Sequence, residues 1–305
     1  MLFGGEPTIA PDTIRTICEF FEQYSSLGLI EKMPIFTMVT NGTLIDEALA
    51  QTLKKYDVRV TVSVDGPPEI NDQLRVDKAG NGTFARGERG IRLLQEAGNP
   101  PRMIEATYTT LHKELGYSKD DIRQHLQRYF GVEHILVANC ETNGYDDSLV
   151  CLVEDIQSDY DNDSVRMELL QLRHKLLRKS FCDQPCGAGY DGTVALIPNG
   201  ELYPCHRFVG ESQYLLSRFD GRCFEFSYYP GVLTRLTDAH KLKNLQCKDC
   251  WAKALCSACP AGMLLEKITK EADEHTCKME WERNKKLLLA LANEIQKNER
   301  VLAHC

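Results

Sequence analysis

Apolar positions over the first 140 residues follow two alternating periods. Val58, Val60, Val62 and Val64 alternate strictly with other residues until Asp65-Gly66-Pro67-Pro68 ends the run, which is the two-residue period of a β-strand. Ile35–Val39 lies behind Pro34 and ends in Thr40-Asn41-Gly42; Met103–Thr109 and His134–Ala138 are two further strand-like segments. Between them, Ile14, Ile17, Cys18 and Phe21 recur at helical spacing, as do Phe84, Gly87, Ile91 and Leu94. Ser118 opens a helical stretch to Phe130, with Asp121 three residues on in the spacing of a capping box. Strands and helices alternating at these distances predict parallel strands with helical crossovers, an α/β fold. Leu2-Phe3 before Gly4-Gly5 reads as the tail of one more strand. A buried parallel strand needs more length than that, so the native domain is expected to begin upstream of Met1.

The pattern changes after Asn139. Residues 139–163 are polar and turn-rich, Val165–Lys179 is an amphipathic stretch, and Cys182–Cys277 is rich in Gly, Pro and Cys without a regular period. Met279–Asn298 then reads as a charged helix. The expected organisation is an α/β domain over 1–140, a linker with a bridging helix over 141–181, a Cys-rich domain over 182–280 and a C-terminal helix over 281–305.

Charge and composition narrow the function. Lys and Arg number 36 against 44 Asp and Glu, a net charge of −8, with no basic run to coat a nucleic acid. The apolar stretch Leu287–Ala292 is far shorter than the ~20 residues that span a bilayer, and no charged-then-apolar leader precedes Gly4. A cytoplasmic protein without nucleic-acid or membrane partners is expected. Cysteine use is lopsided: nine of the thirteen fall between Cys182 and Cys277. Cys247-x2-Cys250-x5-Cys256-x2-Cys259 is followed by Cys277 and preceded by Cys182, Cys186 and Cys205, eight thiols in all. Two-residue spacers let one turn aim two sulfurs at a single metal, and clustered cysteines in a reducing compartment are metal ligands more often than disulfides. Spacing does not choose between two zinc sites and two iron–sulfur centres. Cys18, Cys140, Cys151, Cys223 and Cys305 read as core or surface thiols.

Gly4-Gly5-Glu6-Pro7, Thr40-Asn41-Gly42, Ser63-Val64-Asp65-Gly66-Pro67 and the eight-cysteine array, in that order, resemble a radical SAM enzyme with a C-terminal SPASM domain, over essentially the whole chain. The resemblance implies a partial (β/α)6 barrel, its first strand missing, that binds S-adenosylmethionine across the C-terminal strand ends. It implies that Gly4 and Gly5 let the backbone approach the cofactor's amino group, that Glu6 accepts a hydrogen bond from that ammonium, and that Pro7 stiffens the turn. Thr40 and Asn41 would line the same cleft, and Ser63 and Asp65 would reach the ribose or carboxylate. A satisfied strand-end turn is the other reading of Ser63 and Asp65. Arg75 is placed to meet a carboxylate or to lie on the surface.

In the SPASM region the resemblance assigns Cys182, Cys186, Cys205 and Cys259 to the nearer auxiliary [4Fe–4S] cluster, and Cys247, Cys250, Cys256 and Cys277 to the farther one. The run Pro204-Cys205-His206-Arg207 resembles the thioether-forming maturases of Cys-rich precursor peptides, of the sactipeptide and ranthipeptide class. It implies a peptide substrate, a reductant such as flavodoxin or ferredoxin, and His206 as a proton acceptor, a donor to cluster sulfur or a packing residue. The Cys-x3-Cys-x2-Cys triplet that holds the S-adenosylmethionine-cleaving cluster does not occur in these 305 residues. A fragment whose cleaving cluster lies upstream, inactive by itself, is therefore expected. The alternative is a non-catalytic, metal-binding peptide scaffold.

Overall fold

The computed structural model describes residues 1–140, 169, 172–173, 176, 188, 193–225, 229–238, 245–256, 259–265 and 270–297. The chain divides into two compact units, Met1–Leu152 and Val153–Cys305.

The first unit is built on four parallel strands in the order β1 (Thr37–Thr40), β2 (Arg59–Ser63), β3 (Met103–Tyr108) and β4 (Ile135–Asn139). Leu2 adds a one-residue parallel bridge to Met38 beside β1, its N–H donating to the Thr37 carbonyl and its carbonyl accepting from Val39 N–H. The strand tail read in Leu2-Phe3 thus takes its place at the sheet edge. Helices alternate with the strands: α1 (Pro11–Ser26), α2 (Glu47–Lys55), α3 (Pro68–Leu74), α4 (Phe84–Glu96), α5 (Thr110–Glu114) and α6 (Lys119–Phe130).

Local chemistry sets their ends. The Asp46 carboxylate accepts from Leu49 N–H at the start of α2. Ser118 and Asp121 form a reciprocal capping box at the start of α6, and Gly131, at φ +65°, ends that helix.

Period two divides the sheet into two faces. Met38, Val60, Val62, Ile104 and Ala106 are at most 1 % exposed and pack with Ile14, Leu53, Ile91, Leu94, Ile122 and Leu126 from the helices. Burying each such aliphatic side chain contributes about 1.5–3 kcal/mol, so this face holds the unit together. The residues between them, Val39, Thr61, Ser63, Met103, Glu105 and Thr107, are only half-buried. They form a second, more polar face that ends at the C-terminal tips of the strands.

The second unit contains a four-stranded antiparallel sheet, β5 (Ala195–Leu196), β6 (Glu201–Tyr203), β7 (Ser217–Phe219) and β8 (Phe224–Glu225). It also has helices α7 (Tyr229–Asp238), α8 (Leu245–Lys248), α9 (Pro260–Leu265) and α10 (Lys270–Lys297). The region read as irregular therefore carries regular elements, with strands of two or three residues, too short for alternation to register in the sequence. The closing helix begins at Lys270, so Cys277 lies on it. Of Val165–Lys179 the described residues Leu169, Leu172, Arg173 and Leu176 are helical, and the polar stretch 141–163 lies outside the described residues.

Candidate functional site at the strand ends

Gly4 and Gly5 turn the chain away from the Leu2 bridge with φ of +102° and +44°, a conformation that costs glycine nothing. No atom lies within 4 Å of where a Cβ would stand on either residue. The backbone here is open to close approach by a ligand.

Glu6 ties this turn to the end of β1. Its Oε1 accepts from Thr8 N–H at 3.0 Å, Thr8 Oγ1 at 2.6 Å and Thr40 Oγ1 at 2.6 Å. Its Oε2 accepts from Asn41 N–H at 2.8 Å. A carboxylate offers about four acceptor positions, so the described residues fill Oε1 and leave one position on Oε2 open. Thr40, 2 % exposed, also accepts from Gly42 N–H at 3.0 Å, so its hydroxyl serves the turn. The Asn41 side-chain carbonyl accepts from Thr43 N–H and Thr43 Oγ1. Pro7 opens a 3-10 turn, Pro7–Ile9, whose N-cap is Glu6.

One strand further in, Asp65 is 4 % exposed and engaged by the protein itself. The Arg75 guanidinium grips it bidentately, Nε to Oδ2 at 2.6 Å and Nη2 to Oδ1 at 2.9 Å, and Thr107 N–H donates to Oδ1 at 2.8 Å. Between the two readings of Arg75 the structure selects the carboxylate partner. It also places Asp65 in a strand-end clasp joining β2 to β3.

Beneath it lies His112, fully buried. Thr109 N–H donates to its Nδ1 at 3.0 Å, which leaves the proton on Nε2 to donate to the Asp65 carbonyl at 2.7 Å. Burial holds the His112 pKa below the usual histidine value, so the ring stays neutral. The sequence signal for His112 is its position three residues after Thr109, the spacing of a capping box.

Glu105 was not among the residues read from the sequence as functional. It pairs in register with Ser63, and both belong to the half-buried face. Among the described residues no hydrogen-bond donor or cation meets its carboxylate, and its backbone carbonyl accepts from Val64 N–H. An acidic residue between Ile104 and Ala106, both fully buried, was the available signal, because alternation sends it to the opposite face.

In the second unit six of the eight assigned cysteines are described: Cys205, Cys247, Cys250, Cys256, Cys259 and Cys277, all half-buried and outside any disulfide. Cys182 and Cys186 lie outside the described residues. Cys205 and Cys259 pack against the same apolar cluster, formed by Leu202, Phe208, Tyr214 and Leu216 with their neighbours. The Trp281 indole N–H donates to Cys250 Sγ at 3.1 Å, which sets the Cys247–Cys256 loop against α10 one turn beyond Cys277.

A thiol loop set against one helix and two further thiols on one core fit the chemistry of thiolate-bound centres. Among the described residues, however, no three His, Cys, Asp or Glu side chains close on a common point. His206 is exposed in a 3-10 turn, His206–Phe208. Desolvation by its surroundings and the adjacent Arg207 charge hold its pKa below the usual histidine value. Of the remaining cysteines, Cys18 and Cys140 are buried and Cys223 is exposed; Cys151 and Cys305 lie outside the described residues.

Comparison with known proteins bears on this arrangement. The profile of the radical SAM superfamily matches residues 1–129. The chain is 38 % identical over 97 residues to a cysteine-type anaerobic sulfatase-maturating enzyme of Clostridium perfringens, covering 30 % of this chain and 25 % of that one. It is 28 % identical over 127 residues to the radical SAM cyclopropyl synthase TigE of Paramaledivibacter caminithermalis, covering 42 % and 25 %. These alignments thus span about a quarter of the length of either curated relative. Among solved structures, a histidine-tagged anSMEcpe with bound AdoMet superimposes with a TM-score of 0.64 at 20 % identity, covering 99 % of this chain and 83 % of that one. Native anSMEcpe with bound AdoMet and the Kp18Cys peptide gives 0.59 at 20 % identity, covering 95 % and 84 %. Among the described residues no helix is long and apolar enough to cross a membrane.

Proposed function

We propose that the chain is the cofactor- and cluster-binding part of a radical SAM maturase that forms cysteine thioether cross-links in a ribosomally made, Cys-rich precursor peptide. The observation that carries this reading is the Gly4-Gly5 turn, pinned by Glu6 to the Thr40-Asn41 end of β1, on a domain that matches the radical SAM superfamily. The sulfatase-maturating enzyme structures with bound AdoMet and peptide support a cofactor and a peptide partner for the same fold.

S-adenosylmethionine, given an electron by a [4Fe–4S] cluster, supplies hydrogen-atom abstraction when bound. The chain's own residues bind and orient. The open backbone of Gly4 and Gly5 receives the cofactor's amino end. The free position on Glu6 Oε2 accepts from its ammonium, a charge-assisted hydrogen bond. Pro7 and Asn41 hold the turn, and Ser63 faces the same strand ends. Asp65, held by Arg75, maintains the spacing of β2 and β3 instead of touching ligand.

In the second unit Cys182, Cys186, Cys205 and Cys259 would hold one auxiliary [4Fe–4S] cluster and Cys247, Cys250, Cys256 and Cys277 another. His206 would accept a proton beside the first. A flavodoxin or ferredoxin would supply electrons. Because no Cys-x3-Cys-x2-Cys triplet occurs in the 305 residues, the chain by itself is proposed not to cleave S-adenosylmethionine. That same absence favours the second reading, a non-catalytic metal-binding peptide scaffold.

Anaerobic reconstitution with iron and sulfide tests both. The expected result is brown protein with about eight irons per chain, two four-iron centres, and no 5′-deoxyadenosine on adding S-adenosylmethionine and reductant. Two tightly held zinc ions with no visible absorbance would overturn the iron–sulfur assignment, and 5′-deoxyadenosine formation would overturn the inactivity of this chain.

A further inference from the structure

We propose that Trp281 sets the reduction potential of the centre assigned to Cys247, Cys250, Cys256 and Cys277, through the hydrogen bond that its indole N–H donates to Cys250 Sγ. This inference rests on the iron–sulfur reading of the eight cysteines and adds to it a residue outside the ligand set.

The contact is built from both sides. Cys277 and Trp281 stand four residues apart on α10, so they share one helix face. One helix thus offers a ligand and a donor together. Leu287 and Leu291 of α10 are buried with Leu172, and Leu255 of the cysteine loop packs on the same cluster. Within the loop, Cys250 N–H donates to the Cys247 carbonyl at 3.1 Å and Cys256 N–H to the Ala252 carbonyl at 2.8 Å, with Ala252 fully buried. These turns hold Cys250 where the indole meets it, Nε1 to Sγ at 3.1 Å.

An indole N–H only donates, and the Trp281 ring is exposed, with water at hand. Its N–H is nevertheless turned onto sulfur. Reduction adds one electron and no atom to a four-iron centre, and the thiolate sulfurs share the added negative charge. A donor on one of those sulfurs stabilises the reduced form more than the oxidised form, which raises the potential. Trp251, the chain's other tryptophan, directly follows Cys250 and is also exposed. Among the described residues no sulfur accepts from its indole, so it serves as the control.

The iron-reconstituted full chain is titrated with dithionite and followed by electron paramagnetic resonance. Trp281→Phe keeps a ring and removes the donor; it should move one reduction step to a more negative potential and leave the other in place. Trp281→His, which restores an N–H, should move that step part of the way back, and Trp251→Phe should change neither. In the Trp251→Phe protein the remaining indole is Trp281, and building the centres should remove most of its fluorescence because it touches a ligand sulfur. Quenched emission with both Trp281→Phe potentials equal to the wild type's overturns the tuning role and leaves the ligand assignment standing. Bound iron with full emission removes Cys250 from the ligands, and the proposal with it. A Trp281→Phe protein that takes up only half the wild-type iron makes Trp281 a prop of the site, which also overturns the tuning role. A wild-type chain that takes up no iron overturns the iron–sulfur reading itself.

Discussion

Asp65 shows how a motif residue can belong to the scaffold. Its carboxylate is withdrawn from water, and burial of an ionised group is costly unless charge and hydrogen bonds compensate it. Arg75 does so with a planar fork matching both oxygens, and the Thr107 amide adds a third bond from the next strand. Arg75 itself remains 29 % exposed along its side chain, so it keeps part of its hydration while neutralising Asp65. Removing the guanidinium leaves a buried charge with one amide for company. Arg75→Ala is therefore expected to destabilise the first unit by about 3 kcal/mol, the scale for breaking a buried pair. Arg75→Lys should recover less than half of that, because one ammonium cannot reproduce the fork. Urea denaturation of the two variants measures both. A loss below about 0.5 kcal/mol for Arg75→Ala would return the pair to the class of surface ion pairs. Sequence alone left Asp65 between ligand and scaffold, since its partner lies ten residues on, across helix α3.

Among the elements, α4 decides where the Thr40-Asn41-Gly42 turn sits. Gly42 has φ +73°, and a Cβ added to Gly90 would fall 2.1 Å from the Gly42 carbonyl oxygen. A Cβ on Gly87 would stand 3.2 Å from the Asn41 carbonyl. The helix thus lies against backbone, and only glycine permits that closeness. Gly90→Ala must push α4 off the turn, and with it the Asn41 amide that donates to Glu6. The expected cost is about 2–3 kcal/mol of overpacking, measured by thermal melting. Unchanged stability would mean that the helix can slide freely over the turn.

The alternation of β2 and the helical spacing of α4 were legible because each is long and half-buried on one face. Gly87 was read as part of the apolar stripe for its spacing, but its reason is the approach to Asn41, which no periodicity encodes. Glu105 escaped notice because an acidic residue on an outward strand face is ordinary until the register shows it beside Ser63. The short strands of the second unit gave no pattern, since two or three residues cannot establish a period.

At the scale of the molecule, the two units differ in what holds them. The first buries a continuous core from Ile14 to Val137 across sheet and helices. The second has smaller clusters, one around Phe208, Tyr214 and Leu216 and one of Leu172, Leu287 and Leu291. Strands this short and cores this small need a cross-link, as other small scaffolds do. The proposed thiolate centres would supply it, because ligands drawn from residues 182–277 close several loops at once. Iron removal should then act unequally. In reconstituted protein both units are expected to resist brief trypsin treatment. After chelation, cleavage should concentrate beyond Leu152, leaving a product close to the first unit, with its strand and helix signals retained in circular dichroism. Proteolytic resistance of the second unit that is the same with and without iron would show that its apolar clusters suffice, and the centres would lose their structural role. Loss of both units together on chelation would instead show that the first unit's core does not stand by itself.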